Sequence, residues 1–536
     1  MLPLPPPPPH GMTFAMPMFK PWMPRAVRPW LYVVTVFCFQ LSSGFYLGAL
    51  EAVRGETGFM IEDLMMLLYA GLAGMAIYFP LLFRMKFRFT NQQLLIGAAI
   101  VMALCNLLTI QTREMSLLLP LCFIAGMAKI QGTFECMSNI QLWITPRRDF
   151  GVFFPVLHIV LLTAIEGSGW LCAHLAYHYH LHAMHYLSVG MMCFVIATQL
   201  CFCRPFCPMP GRLTLKGIDL LSGLLISGLM LMVSYIMVYG DYYMWFATPH
   251  IRLLAGLSLL LLAFILLRLR HHPAPYVSLK LFTRPWVWLI LIVTAFAEIM
   301  LGCEHTLEEI FYTEVVQLEE HTKESLYLWA LPGIYVGVVI DLLWLRWKRW
   351  KVWRLFALGF ACIAVYATLM YVTIGADVNI EQYRLAIATR GCAMAILAAT
   401  LMWSLHEAIH DLELFFMGLF IFNIMHMYLA GACGFGIYST LFGHHLADAI
   451  SNNGAYLTPT AIDLTSFDLG TYVDQQYLPD MMTVAIKKIY GIVFYCSAAI
   501  AVVFAVAHIP AVRNGLRKVP LWSVYAIDYL ARLRRK

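Results

Sequence analysis

The chain has 536 residues, of which 61% are hydrophobic and 12% charged, with a formal net charge of +6. Those proportions lie far from the balance of a soluble domain, so length divided by a typical domain size counts nothing here. The positive charge follows the topology described below, and it lends no support to nucleic-acid binding.

Residues 1–28 open with MLPLPPPPPHGM, which has neither the charged start nor the clean apolar core of a signal peptide. They are expected to form a Pro-rich cytoplasmic tail. Fourteen apolar runs follow, at 30–50, 61–83, 92–110, 116–143, 150–174, 183–203, 217–239, 251–269, 286–312, 325–345, 352–375, 382–405, 412–441 and 489–508. A hydrocarbon core about 30 Å thick takes roughly 20 helical residues to cross, and each run is of that order. Most connections are short, so successive helices should be antiparallel neighbours. Two connections differ: residues 204–216 form a Pro-rich basic link, and residues 442–486 form a long loop rich in Asn, Asp, Thr and Gly. After Pro520 the tail alternates apolar and basic residues, the pattern of a short amphipathic helix on a membrane surface.

Lys and Arg alternate between the two sets of connections. The side holding both termini carries 27, seven of them from Arg513 onward, and the opposite side carries 7. Only Lys129 and Arg390 lie inside spans. Positive charge stays in the cytoplasm, so both termini are expected inside, as an even number of spans requires. The expected architecture is an all-α polytopic membrane protein with 14 transmembrane helices in a 6+2+6 arrangement. Its parts are the tail 1–28, a six-helix bundle 29–205, an inserted helix pair with its links 206–285, a second six-helix bundle 286–510 containing the external loop 442–486, and a basic amphipathic tail 511–536.

Local patterns mark the inserted pair. Asp219 is followed after twenty residues by Gly240 and after four more by Trp245. Beyond the eighth run come Pro275, Val277, Leu279, Leu281 and Phe282, and the fourth run contains Gln131-Gly132. The thirteenth contains Asn423, Gly431 and Gly434. In their order and spacing these resemble the major facilitator superfamily, and within it the fourteen-span EmrB/QacA-type drug:proton antiporters. The resemblance covers roughly residues 29–510. It implies two bundles rocking about a midplane site, and export of lipophilic compounds driven by protons across the inner membrane. It also implies a periplasmic adaptor and an outer-membrane channel as partners where the cell has two membranes. The chain departs from the family where coupling matters. The first-span Asp is replaced by Leu41-Ser42, with Glu51 farther out, and the fourth-span Arg aligns with Ala128, beside Lys129. The fifth-span antiporter motif is reduced to Gly169-Trp170 preceded by Glu166.

An ionisable group in hydrocarbon costs roughly 2.5–3.5 kcal/mol on insertion scales, so each embedded charge needs a partner or a cavity. Lys129 and Glu135 are six residues apart, about 240° around a helix, and do not pair with each other. Gln131 and Glu135 share a face. Glu135 is either a proton or cation site in the cavity or the partner of a basic group on another helix. Glu166, among Gly167, Ser168 and Gly169, is either a desolvated proton carrier or a satisfied interhelical hydrogen bond. Glu298 is the deepest acid of the ninth run. Beyond it, Glu304 and Glu308 either flank an exit path or form a wetted helix end. Asp341 is expected to pair with the basic residues 346–354, and Arg390 to act as counter-charge for a carboxylate across the cavity.

Five histidines, His174, His178, His180, His182 and His185, crowd one external link. They fit either a metal or pH-sensing cluster or an interfacial amphipathic turn. Cys201, Cys203 and Cys207 fit packing better than metal binding. His406-Glu407-Ala408-Ile409-His410 satisfies the zinc-protease pattern, but it ends a membrane span with no third ligand in sight, so no enzyme is expected. No cofactor and no metal is assigned. The expected function is efflux by proton antiport, with Glu135, Glu166 and Glu298 linked to protons and Lys129 and Arg390 tuning them. The expected partners are a lipophilic small molecule, protons and membrane lipids. Export of an endogenous metabolite or siderophore, or a degenerate receptor or scaffold, is the alternative.

Overall fold

A computed structural model describes residues 14–42, 49–146, 149–207, 219–347, 352–375, 379–409, 411–454 and 477–507. Its elements are helices. The first seven are α1 (Arg28–Leu41), α2 (Leu50–Thr57), α3 (Ile61–Arg88), α4 (Asn91–Gln111), α5 (Met115–Ile144), α6 (Phe150–His178) and α7 (Ala183–Phe202). Next come α8 (Leu220–Tyr239), α9 (Pro249–His271), α10 (Pro285–Leu301), α11 (Glu320–Tyr327) and α12 (Ala330–Trp347). The last are α13 (Val352–Thr373), α14 (Tyr383–Ala408), α15 (Leu412–Asn423), α16 (Gly434–Gly454) and α17 (Leu478–Ala507).

Thirteen stretches among the described residues are long and apolar enough to cross a bilayer. They coincide one for one with the second to fourteenth apolar runs. The first run, 30–50, holds α1, only 14 residues long, ahead of residues 43–48, which lie outside the described set. The long loop is shorter than its composition suggested. Helix α16 continues through its Asn- and Asp-bearing start to Gly454, and α17 resumes at Leu478. The Pro run, most of the 204–216 link, the centre of that loop and the basic tail lie outside the described residues.

Residues 14–27 dock on the end of α7. Met16, Met18, Phe19 and Met23 are buried there. The Lys20 ammonium donates to the carbonyls of Leu200 and Cys201 at 3.0 and 2.8 Å. Arg28 donates to the carbonyls of Ala15 and Met23 at 2.7 and 2.9 Å. Cys203 packs in this joint, where burial pushes its thiol up to about 12, so it behaves as an apolar side chain.

The helices fall into two sets by contact. Helices α1 and α3–α7 pack among themselves, as do α10–α17. The sets meet where α6 lies against α11, α12 and α14, and where α3 lies against α15 and the segment after it. Small residues set the closest approaches, as expected where lipid offers no hydrophobic drive for association. A Cβ at Gly126 would overlap the Gly71 carbonyl between α5 and α3, and one at Gly391 would overlap the Ala330 carbonyl between α14 and α12. Gly391 thereby seats its neighbour Arg390 deep in the second set.

Helices α8 and α9 pair with each other, and α8 also touches α3 and α16. The residues that marked this pair in the sequence tie its two ends. Asp219 caps α8 by accepting from the Ser222 amide at 3.2 Å, and its carboxylate is 2.7 Å from the Arg268 guanidinium near the end of α9. Burial works to raise the Asp219 carboxyl, but the bonds from Arg268 and Ser222 outweigh it and hold it below the usual range. The link is therefore intact above the ordinary carboxylate range and is lost as pH falls through that lowered value. At the other end a Cβ on Gly240 would strike the Trp245 ring at 2.8 Å, and the Trp245 indole donates to Thr440 at 3.0 Å. Tyr276, Val277 and Leu281 of the following stretch are buried, with the Tyr276 hydroxyl donating to the Ile77 carbonyl of α3. Asp219→Ala should cost about 1–3 kcal/mol by losing a cap and a charged hydrogen bond. A lowered melting temperature in detergent checks this, with the exposed Leu221→Ala as a near-neutral control.

Candidate functional site

A guanidinium within a membrane helix must be neutralised where it stands. Arg390 of α14 is fully buried. Its partners come from a broken helix. After Leu301, α10 gives way to two π-helical turns, Glu304–Glu308 and Phe311–Val315. Such turns are concentrated at functional sites because the extra residue re-aims side chains. Arg390 Nη1 donates to Glu308 at 2.6 Å, and Nη2 lies 2.9 Å from Glu304. Glu308 is itself fully buried and also accepts from the Tyr366 hydroxyl, which is 3.2 Å from that of Tyr490. The Tyr327 ring lies 5.4 Å from the guanidinium.

The opposite set of helices contributes Glu166. It is buried near the midpoint of α6 and interacts electrostatically with Glu304, Arg390 and Glu324. Three residues on, Gly169 leaves room for the Glu324 carboxylate of α11, which a Cβ would overlap. Lys323, also buried, binds Glu309, and Glu320 accepts from the Glu51 amide at 2.6 Å. Glu166, Glu304, Glu308, Glu309, Glu320 and Glu324 thus gather around Arg390 and Lys323. Acids outnumber bases, so the assembly favours taking up positive charge. Lys129, at the midpoint of α5, has no carboxylate partner among the described residues. Cys172 of α6 lies in the neighbourhood of both Lys129 and Glu324. Gln131 is buried with neither amide atom hydrogen-bonded, so this polar group is left for water or a ligand to satisfy.

Two further acids stand apart from this cluster. Glu135 is 3.4 Å from Lys86 of α3 and accepts from Asn139 at 3.0 Å. Lys86 also donates to Ser138. Glu298 binds His426, whose ring is stacked on Phe422 at 5.8 Å. His426 lies in the π-helical segment Ile424–Cys433, so both breaks in the second set carry polar residues inward. Asp341 accepts from Thr400 of α14 at 3.2 Å inside the bundle, and among the described residues neither Arg346 nor Arg354 of the expected basic cluster pairs with it. His406 packs against Phe150 and Phe415, while His410 lies outside the described residues.

Sequence reasoning missed several of these partners. Lys86 was counted among the loop charges, because the helix runs farther than the apolar run. His426 was hidden in a continuous apolar stretch. Lys323 counts among the connection charges, and Glu324 lies just ahead of the run 325–345. Tyr366 and Tyr490 carried no signal, since tyrosine is common in membrane helices.

No family profile and no curated protein matches the sequence. Solved structures match it along most of its length. A peptide transporter POT variant in complex with alafosfalin aligns over 89% of this chain and 94% of its own, with TM-score 0.56 and 11% identity. A POT family transporter in complex with 5-aminolevulinic acid aligns over 92% and 98%, with TM-score 0.57 and 12% identity. The nucleoside transporter NupG aligns over 89% and 98%, with TM-score 0.53 and 11% identity. At such identities the likeness carries the fold alone, an all-helical one with many apolar helices of membrane length.

Replacing Arg390 by Met strands the Glu308 carboxylate, which should cost about 3–5 kcal/mol. Adding Glu308→Gln should recover a large part of that loss, since the two effects are not additive. Thermal unfolding of the single and double variants in detergent measures the recovery.

Proposed function

We propose that this chain is a proton-coupled secondary transporter that exports lipophilic, cationic or amphiphilic compounds. The carrying observation is the set of carboxylates around Arg390, supplied by both sets of helices. Alternating access requires the two sets to move relative to each other about a central site. Glu166 on one set and Glu304, Glu308 and Arg390 on the other change their mutual distance in such a motion. Each change alters how much positive charge the acids must hold. Protonation of Glu166 or Glu304 when Arg390 moves away, and release when it returns, couples proton movement to the motion. The Glu298–His426 pair is a second proton-linked element, and Glu135 with Lys86 a latch between α5 and α3. Lys129 and Gln131, both lacking a carboxylate partner among the described residues, line the path that the substrate takes. Glu304 and Glu308 serve the coupling site in this reading and do not flank an exit path.

Export is favoured by the resemblance to the fourteen-span antiporters, whose inserted pair Asp219, Gly240 and Trp245 tie together here. An excess of acids in a site walled by aromatic rings suits a lipophilic cation. The charge alternation supports an inner-membrane orientation in which the face carrying Lys20, Arg88 and Arg284 is cytoplasmic. The 6+2+6 division accords with the two contact sets and the separate α8–α9 pair. An adaptor and outer channel would serve it in a cell with two membranes.

Proteoliposomes loaded with a pH-sensitive dye and a fluorescent lipophilic cation test the reading. An imposed pH gradient should drive probe movement, and Glu166→Gln and Glu304→Gln should each lower it at least tenfold. Absence of both probe and proton movement in the parent protein would sink the proposal. Full coupling in both variants would remove these acids from it.

A further inference from the structure

The external histidine cluster is resolved into something narrower than its sequence suggested. His174 and His178 are one turn apart on α6, on the same side of the helix. The third member is His321 of α11, which lies 147 residues farther along the chain. One coordinating nitrogen from each ring can be chosen so that all three lie within 4.8 Å of one another. His174 Nδ1 is 3.3 Å from His321 Nε2. Two nitrogens bound to one tetrahedral zinc at about 2.0–2.1 Å are separated by about 3.3–3.4 Å. A hydrogen bond between two neutral imidazoles accounts for that single contact, but not for His178 standing beside both. Stacking fixes the rings. Trp170 lies over His174 with centroids 5.0 Å apart, and Tyr177 lies over His321 at 5.3 Å. His178 is exposed, so the group opens to water.

We propose that His174, His178 and His321 bind a divalent transition-metal ion of the zinc class, with a water molecule in the fourth position. Three neutral imidazoles suit zinc, and they suit cobalt as its spectroscopic substitute, whereas calcium and magnesium prefer oxygen ligands. The site joins the two sets of helices, since α6 belongs to one and α11 to the other. Metal binding therefore pins the ends of α6 and α11 together. Of the five histidines in the external link, His180, His182 and His185 take no part. His182 is 3.4 Å from Glu56, and His185 faces Asn106 at 3.0 Å.

The test uses the full chain in detergent after removal of metal with a chelator. Cobalt titration should give the visible bands of a tetrahedral ion, saturating at one equivalent and bleached by zinc. His321→Ala and His174→Ala should abolish the bands, and His180→Ala should leave them unchanged. Should His321→Ala fail to fold, as judged by its melting curve, His178→Ala at the exposed rim carries the test. Bands that survive these changes, or that depend on His180, overturn the site. Hydrogen exchange tests the bridge. Zinc should slow amides at the end of α6 and throughout α11, and protection confined to α6 overturns the cross-link. None of these readouts requires transport, so this site and the proposed function fail separately.

Discussion

A charge inside hydrocarbon must find its opposite within a few ångströms, and Arg390 imposes that demand on much of this protein. Its guanidinium is fully buried, and its acids come from a helix broken just where they are needed. The break after Leu301 costs regular hydrogen bonds, and the extra residues of the π-helical turns let Glu304 and Glu308 both reach Arg390. Gly391 lets α12 close on α14 beside it. Tyr327, Tyr366 and Tyr490 fill the remaining space with rings and hydroxyls that an ion pair can use. Packing and electrostatics are solved together here, because neither solution is available without the other.

The same logic separates embedded charges that are satisfied from those that are not. Glu135 has Lys86 and Glu298 has His426, whereas Asp341 has the neutral Thr400 hydroxyl on one oxygen and no partner among the described residues on the other. Among the described residues Lys129 has no carboxylate partner and the Gln131 amide has no hydrogen bond, and both lie near the midpoint of α5. A buried polar group that stays unsatisfied in a folded protein points to water or a ligand. In the proposed function these two residues of α5 line the path of the substrate.

Much of the fold was legible in the chain. Thirteen of the fourteen apolar runs correspond to helical stretches of membrane length among the described residues, because length and hydrophobicity decide whether a segment can live in a bilayer. Their ends were less legible. Lys86 was read as a loop residue, whereas α3 continues past it to Arg88, since a membrane helix ends where capping and solvent allow. The long polar loop yielded to α16 and α17 for the same reason. The residues marking the inserted pair kept their spacing because each closes a specific end: Asp219 on Arg268, Gly240 under Trp245.

The sequence by itself determined that the chain spans a membrane many times, and which few charged residues are embedded among its helices. These are local properties, set by runs of about twenty residues and by the cost of burying an ion. Only the tertiary structure decided which charge meets which. Glu308 and Arg390 are 82 residues apart, Glu298 and His426 are 128, and His174 and His321 are 147. Helical periodicity reports the face a side chain takes on its own helix and nothing about the helix opposite. That choice belongs to the packing of small residues and broken turns between helices, which no single segment encodes.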